Sequence, residues 1–166
     1  MNPLPYLKGY PLSLQNKVLA MMEQGTLREY LQKKYPAQHD IRNDAALRDY
    51  TLKLKSRYMK KSAPVSKIIF DNKIQVVHAA LGTHTYVARQ QGRKLKSKNE
   101  IRIAAVFKVV PESLLRMIVV HELAHLKERD HNKAFYNLCK HMLPDYPQRE
   151  FDLRVYLTQL EHNAPG

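Results

Sequence analysis

Apolar residues recur every three or four positions through the first part of the chain, switch to every second position in the middle, and return to the helical period toward the end. In LQNKVLAMMEQ, Leu14, Val18, Met21 and Met22 fall on one face of a helix that Ser13 can cap and Gly25 can stop. Thr26 and Glu29 have capping-box spacing ahead of a second helix, REYLQKKYP, which ends at Pro36. Asn43 or Asp44 then opens a long helix to about residue 61, with Leu47, Tyr50, Leu54 and Tyr58 inward and Arg48, Lys55, Arg57 and Lys60 outward. Ala63 and Pro64 close it. KIIF and KIQVV, joined by DNK, read as two strands around a turn, and TYVAR and EIRIAAVF as further strands. In the last of these Ile101, Ile103 and Ala105 alternate inward, with Arg102 between them.

After Val110 the helical pattern resumes. Pro111 suits a first helical position, Glu112 complements the positive helix start, and ESLLRMIVVHELAHLKERD predicts about five turns. MIVVHELAHL is apolar nearly all round, which predicts a central, buried helix. A helix over 132–143 follows with Asn132 as its cap, PDYP breaks it, and a last helix over 148–160 places Phe151, Val155 and Leu160 on one side. The expected architecture is one α+β domain over residues 1–166: N-terminal helices, a small central sheet, the histidine-bearing helix packed on that sheet, and C-terminal helices.

Composition narrows the class. A chain of 166 residues buries enough surface to fold without disulfides or a stapling metal, so any metal is read as catalytic. No apolar run reaches the ~20 residues of a membrane span, and MNPLPYLKGYP lacks the layout of a signal peptide. The expected location is the cytoplasm, and the single cysteine, Cys139, agrees. The 28 Lys and Arg against 15 Asp and Glu leave a formal charge of +13, a field that attracts anions, nucleotides and nucleic acids among them.

The segment HELAHLKERDH, residues 121–131, carries the chemistry. Positions four apart on a helix sit one turn apart, about 6 Å along the axis, on one face. His121 and His125 can therefore reach one ion at the zinc–nitrogen distance of about 2.0–2.1 Å, while Glu122, about 100° round the helix, is placed to meet a water rather than the ion. Burying two histidines and a glutamate among Ile118, Val119, Val120, Leu123, Ala124 and Leu126 would cost several kcal/mol, of order 2–7 per group, unless a cation satisfies them. A catalytic zinc takes three protein ligands and keeps one position open. KERD followed by HNKAF reads as a helix ending with His131 folded back at the start of the next helix as the third ligand; Glu128 is the competing ligand, more simply read as solvated or paired with Arg129. His39, His78, His141 and His162 read as satisfied or exposed histidines, His84 as a residue near the site, and Cys139 as core.

VVHELAHLKERDHNKAF, continuing to LCKHMLPDY, closely resembles the YgjP-like family of zincin-type metal-dependent hydrolases. The shared features are H-E-L-A-H-L, then H-N-K-A-F, then a downstream P-D-Y, with FDNK and LKSKNEIRIA upstream. The resemblance covers most of the chain. It implies His121, His125 and His131 as ligands of Zn2+ or another divalent ion such as Ni2+, Co2+ or Mn2+, and Glu122 as the catalytic acid/base. It also implies a compact metallopeptidase-like fold related to the SprT and WLM groups. The wider family carries R-W-G-S-C ahead of the metal helix, where this chain reads RQQGRKLKSK, so the wider family's substrates do not transfer with it.

Three function classes remain open at this stage. One is a metallopeptidase. Another is a nucleotide hydrolase, for which the resemblance implies conversion of uridine triphosphate to the monophosphate and pyrophosphate. The basic run Arg89, Arg93, Lys94, Lys96, Lys98 and Arg102 would supply the cations that a triphosphate needs. The third is a zinc-containing nucleic-acid-binding module without turnover, for which Glu122 has no use. The expected partner is an anionic small molecule or a peptide, with no membrane.

Overall fold

The computed structural model describes residues 4–74 and 99–162. Predicted strands KIQVV and TYVAR fall largely or wholly outside these residues, as do His78, His84, Arg89, Arg93, Lys94, Lys96 and Lys98. A short 3-10 turn, Pro5–Leu7, precedes helix α1, Leu12–Gln24. Pro11, not Ser13, stands at the cap of α1, since its carbonyl already accepts the Leu14 and Gln15 N–H groups. Gly25 ends the helix in the left-handed region at φ 73°, where a side chain would be strained. That termination also removes the predicted capping box. The Thr26 N–H and hydroxyl both turn back to the Met21 carbonyl, so Thr26 lends no side-chain cap to α2, Leu27–Lys34.

Helix α3, Asp44–Tyr58, divides the capping work between two neighbouring residues. Asn43 Oδ1 accepts the Ala46 N–H at 2.8 Å, while Asp44 Oδ1 reaches across to the Phe70 N–H at 2.9 Å. Strand β1, Val65–Asp71, is thereby tied to the start of α3. It pairs in parallel with β2, Asn99–Ala104, with Ile68 opposite Ile101 and Phe70 opposite Ile103. Val65, Ile68, Phe70, Ile101 and Ile103 point into the core. The strand stops at Ala104, short of the predicted end at Phe107, because Ala105–Lys108 winds into a 3-10 turn that delivers the chain to Pro111.

The central element is helix α4, Glu112–Ala124, in which Leu114, Leu115, Met117, Ile118, Val119, Val120, Leu123 and Ala124 are all buried. Removing side chains of this kind from water contributes about 1.5–3 kcal/mol for each large aliphatic, which is why a helix apolar all round belongs at the centre. Pro111 sits at the cap position, and Glu112 accepts a hydrogen bond from the Tyr50 hydroxyl at 2.5 Å. Helix α4 packs against β2, α3, α5 (Lys133–Met142) and α6 (Tyr146–His162). Helix α6 starts two residues before the prediction, with Pro147 in its first turn; Val155 is buried, but Leu160 is exposed.

A second apolar cluster joins the two ends of the described chain: Leu4, Leu7, Val18, Leu27 and Leu31 close over Val155 of α6. Beside it lies Asp152, which is 2% exposed. Its carboxylate accepts from the Tyr35 hydroxyl, from Lys34 Nζ at 2.9 Å and from Gln148 Nε2 at 3.1 Å. Burial and this carboxylate both push the Tyr35 pKa up, so the phenol remains a donor.

Candidate metal centre

The local backbone explains how three histidines come together. Helix α4 is shorter than the five turns predicted. It ends at Ala124 with His125 as its cap, and the next N–H groups fold back tightly, Leu126 to the Leu123 carbonyl at 3.0 Å and Glu128 to the Ala124 carbonyl at 2.9 Å. The His125 side chain fixes that turn by donating from Nδ1 to the Glu128 carbonyl at 2.9 Å. Glu128 therefore contributes its backbone oxygen to the site's framework. Asn132 then caps α5, its Oδ1 accepting the Phe135 N–H at 2.9 Å, as predicted. His131, one residue before the cap, is left on a chain that has reversed direction and faces the other two rings.

The three Nε2 atoms form a nearly equilateral triangle: His121 to His125 at 3.2 Å, His125 to His131 at 3.1 Å, and His131 to His121 at 3.3 Å. A tetrahedral ion with zinc–nitrogen bonds of about 2.0–2.1 Å requires its ligand nitrogens to be about 3.3–3.4 Å apart. The triangle matches that requirement to within about 0.2 Å, the tolerance expected of a metal site. The tautomers agree with it. A carbonyl can only accept, so His125 carries its proton on Nδ1 and presents the Nε2 lone pair to the triangle. His121 Nδ1 lies 2.7 Å from the Tyr146 hydroxyl, which donates its own proton to Glu150 Oε2 at 3.1 Å. The Nδ1 of His121 must then be the donor, and its Nε2 lone pair also faces inward. Lone pairs converging at this range repel one another, and a shared cation turns that repulsion into coordination. Among the described residues, this is the one group of three side chains placed to hold a metal ion.

Aromatic rings set the frame around the triangle. Phe135, fully buried, has its centroid 5.0, 4.6 and 4.8 Å from those of His121, His125 and His131. Glu122 is buried beside His121 on α4. Burial pushes the Glu150 carboxyl above its usual range, with Arg154 and the Tyr146 hydroxyl drawing it back. Burial foremost, then the carboxylate of Glu150, pushes the Cys139 thiol up, so it stays protonated and acts as core packing.

Of the residues assigned to substrate, Arg102 alone lies within the described part of the chain. Its guanidinium pairs with Asp71 at 3.1 Å and Glu100 at 3.1 Å, bridging β1 and β2, and the structure does not show it joining the histidine trio. His39 is structural, as expected: it accepts the Ile41 N–H at Nδ1, which leaves Nε2 to donate to the Phe107 carbonyl at 3.1 Å. His141 packs edge-on against Tyr58. The sequence reading missed Phe135, Tyr146 and Glu150. Phe135 and Tyr146 do stand in the quoted H-N-K-A-F and P-D-Y segments, but nothing in the pattern singles out Glu150.

Comparison with known proteins gives two matches. Residues 88–156 match the family described as YgjP-like, metallopeptidase domain. A protein of Escherichia coli (strain K12) named UTP pyrophosphatase is 54% identical over 160 residues, covering 96% of this chain and 96% of that protein. No solved structure matches. Among the described residues, no helix is long and apolar enough to cross a membrane.

Proposed function

This chain belongs to the YgjP-like family, and on that premise we propose that it is a cytoplasmic, metal-dependent hydrolase with one zincin-like domain over residues 1–166. His121, His125 and His131 would hold the ion, and Glu122 would be the catalytic acid/base. The donor set of three neutral imidazoles suits zinc, and nickel, cobalt or manganese can occupy the same ligands. The observation that carries the reading is the triangle of Nε2 atoms 3.1–3.3 Å apart, with the Nδ1 partners of His121 and His125 leaving the Nε2 lone pairs of those two rings turned inward. When bound, the ion supplies Lewis acidity, lowering the pKa of water toward about 7 and drawing charge from the oxygens of the group under attack.

The favoured substrate is uridine triphosphate, supported by the activity named for the 54% identical relative. Glu122 takes a proton as the water oxygen bonds to the α-phosphorus. The bond from that phosphorus to the α–β bridging oxygen breaks, its electrons leave with pyrophosphate, and uridine monophosphate remains. Glu122 is suited to this because it is buried and adjacent to His121 in sequence, yet directed by the helical turn to a different side. Arg89, Arg93, Lys94, Lys96 and Lys98 are the proposed phosphate-holding cations. Arg102 enters this reading as a tie between β1 and β2 rather than as a phosphate ligand, since Asp71 and Glu100 already engage it.

The matched family's description as a metallopeptidase domain favours a second reading, in which the same residues attack a peptide carbonyl and Glu122 passes its proton to the leaving amine. Incubating the zinc-loaded protein with the four nucleoside triphosphates and, separately, with unfolded casein distinguishes them. Pyrophosphate release, fastest from the uridine nucleotide, is the expected result. Casein fragments without pyrophosphate would make it a peptidase, and neither product would leave a nucleic-acid-binding module.

A further inference from the structure

We propose that Tyr146 and Glu150 are positioning residues that determine which nitrogen of His121 carries the proton, and thereby how tightly the trio grips its ion; this rests on the metal-centre reading above. Both lie one turn apart on α6, which packs against α4. The path runs from His121 Nδ1 to the Tyr146 oxygen at 2.7 Å, and from that hydroxyl to Glu150 Oε2 at 3.1 Å. Each step has a direction. The Tyr146 hydroxyl donates to Glu150 Oε2, so its single proton is committed there and its lone pairs turn to the imidazole. The ring must then be protonated at Nδ1, with Nε2 left to bind.

Replacing the carboxylate by a methyl group removes that polarity. The Tyr146 hydroxyl can then donate to Nδ1, which favours the ring proton on Nε2, the atom 3.2 and 3.3 Å from the other two histidines' Nε2 atoms. A protonated Nε2 cannot be a ligand. His125 supplies an internal comparison, because its Nδ1 is held by the Glu128 carbonyl, a backbone group that no side-chain substitution removes. The tautomer of His121 is therefore open to side-chain control, and that of His125 is not.

The test uses the full chain and two readouts. Nitrogen NMR of the metal-free protein, at a pH where the imidazoles are neutral, reports the protonated nitrogen of each ring, and competition with a chromogenic chelator reports zinc affinity. In the wild type, His121 and His125 should both be protonated at Nδ1. Glu150→Ala and Tyr146→Phe should move His121 toward the Nε2 tautomer, leave His125 unchanged, and weaken zinc binding about 10–100-fold. Glu150→Gln, whose side-chain oxygen can still accept from Tyr146, should restore both properties. The proposal is overturned if His121 keeps its Nδ1 proton in Glu150→Ala, or if the alanine and glutamine variants lose affinity equally. Should Tyr146→Phe fail to fold, the Glu150 pair decides alone. A wild-type protein that binds no divalent ion would defeat the metal reading, while the tautomer measurement would still decide this one.

Discussion

Truncating Phe135 to alanine removes the ring against which all three imidazoles rest, at centroid distances of 4.6–5.0 Å. Phe135 is fully buried, so the loss combines the transfer of an aromatic side chain with the cavity left behind, about 3–5 kcal/mol. Against a typical domain stability of about 5–15 kcal/mol, the variant should still fold, with a much lower urea midpoint. Repeating the unfolding curve with and without zinc separates packing from the site. Zinc at about a thousand times its dissociation constant adds about 4 kcal/mol to the wild type, and each tenfold loss of affinity removes about 1.4 kcal/mol of that increment. Phe135→Ala should lower metal-free stability by about 3–5 kcal/mol and also shrink the zinc increment by at least 1.4 kcal/mol, because rings without their support no longer hold the triangle. A metal-free loss under about 1 kcal/mol would refute the packing argument. An undiminished zinc increment would show that the rings are held by something other than Phe135.

Glu122→Gln should retain zinc and lower kcat about 100- to 10,000-fold, the usual worth of a general base, whereas His125→Ala should lose both metal and turnover; metal analysis beside a pyrophosphate assay reads both. Asn132→Ala removes the cap on α5 and should cost about 1 kcal/mol in urea unfolding. Asp71 is held below its ordinary pKa of 3.8, first by the Lys73 N–H and then, against its partial burial, by Arg102. A depressed carboxyl contributes stability above its unfolded pKa and loses it as pH falls through the folded value. The stability difference between the wild type and Asp71→Asn should thus be complete at about pH 6 and decline below about pH 4; a difference that grew on acidification would contradict the ion-pair account.

What could be read in advance was what local spacing controls. His121 and His125 are one turn apart on any α-helix, and Asn132 has the chemistry of a cap wherever a helix begins after it. Spacing could not place the end of α4. The apolar pattern continues through Leu126 and the charged run after it is helix-compatible, so the stop depends on the His125 side chain taking the Glu128 carbonyl, a contact that exists only once the turn has formed. The Thr26–Glu29 spacing failed for a related reason, since Gly25 had already committed the Thr26 N–H and hydroxyl to Met21. Tyr146 lies twenty-five residues from the imidazole it supports, and no periodicity spans such a separation. The pairing of β1 was equally non-local: among the described residues its partner is β2, in parallel, which a reading of adjacent short runs does not reveal.

The cluster that seats Leu4, Leu7, Val18, Leu27 and Leu31 on Val155 also fixes the order in which a growing polypeptide can bury them. On the ribosome, the first helices emerge long before their cover is synthesised, so those leucines stay wet until α6 clears the exit tunnel. Helices α1 and α2 are therefore made well before the helix that shelters them, and chaperones that bind leucine-rich nascent segments would meet them in that interval.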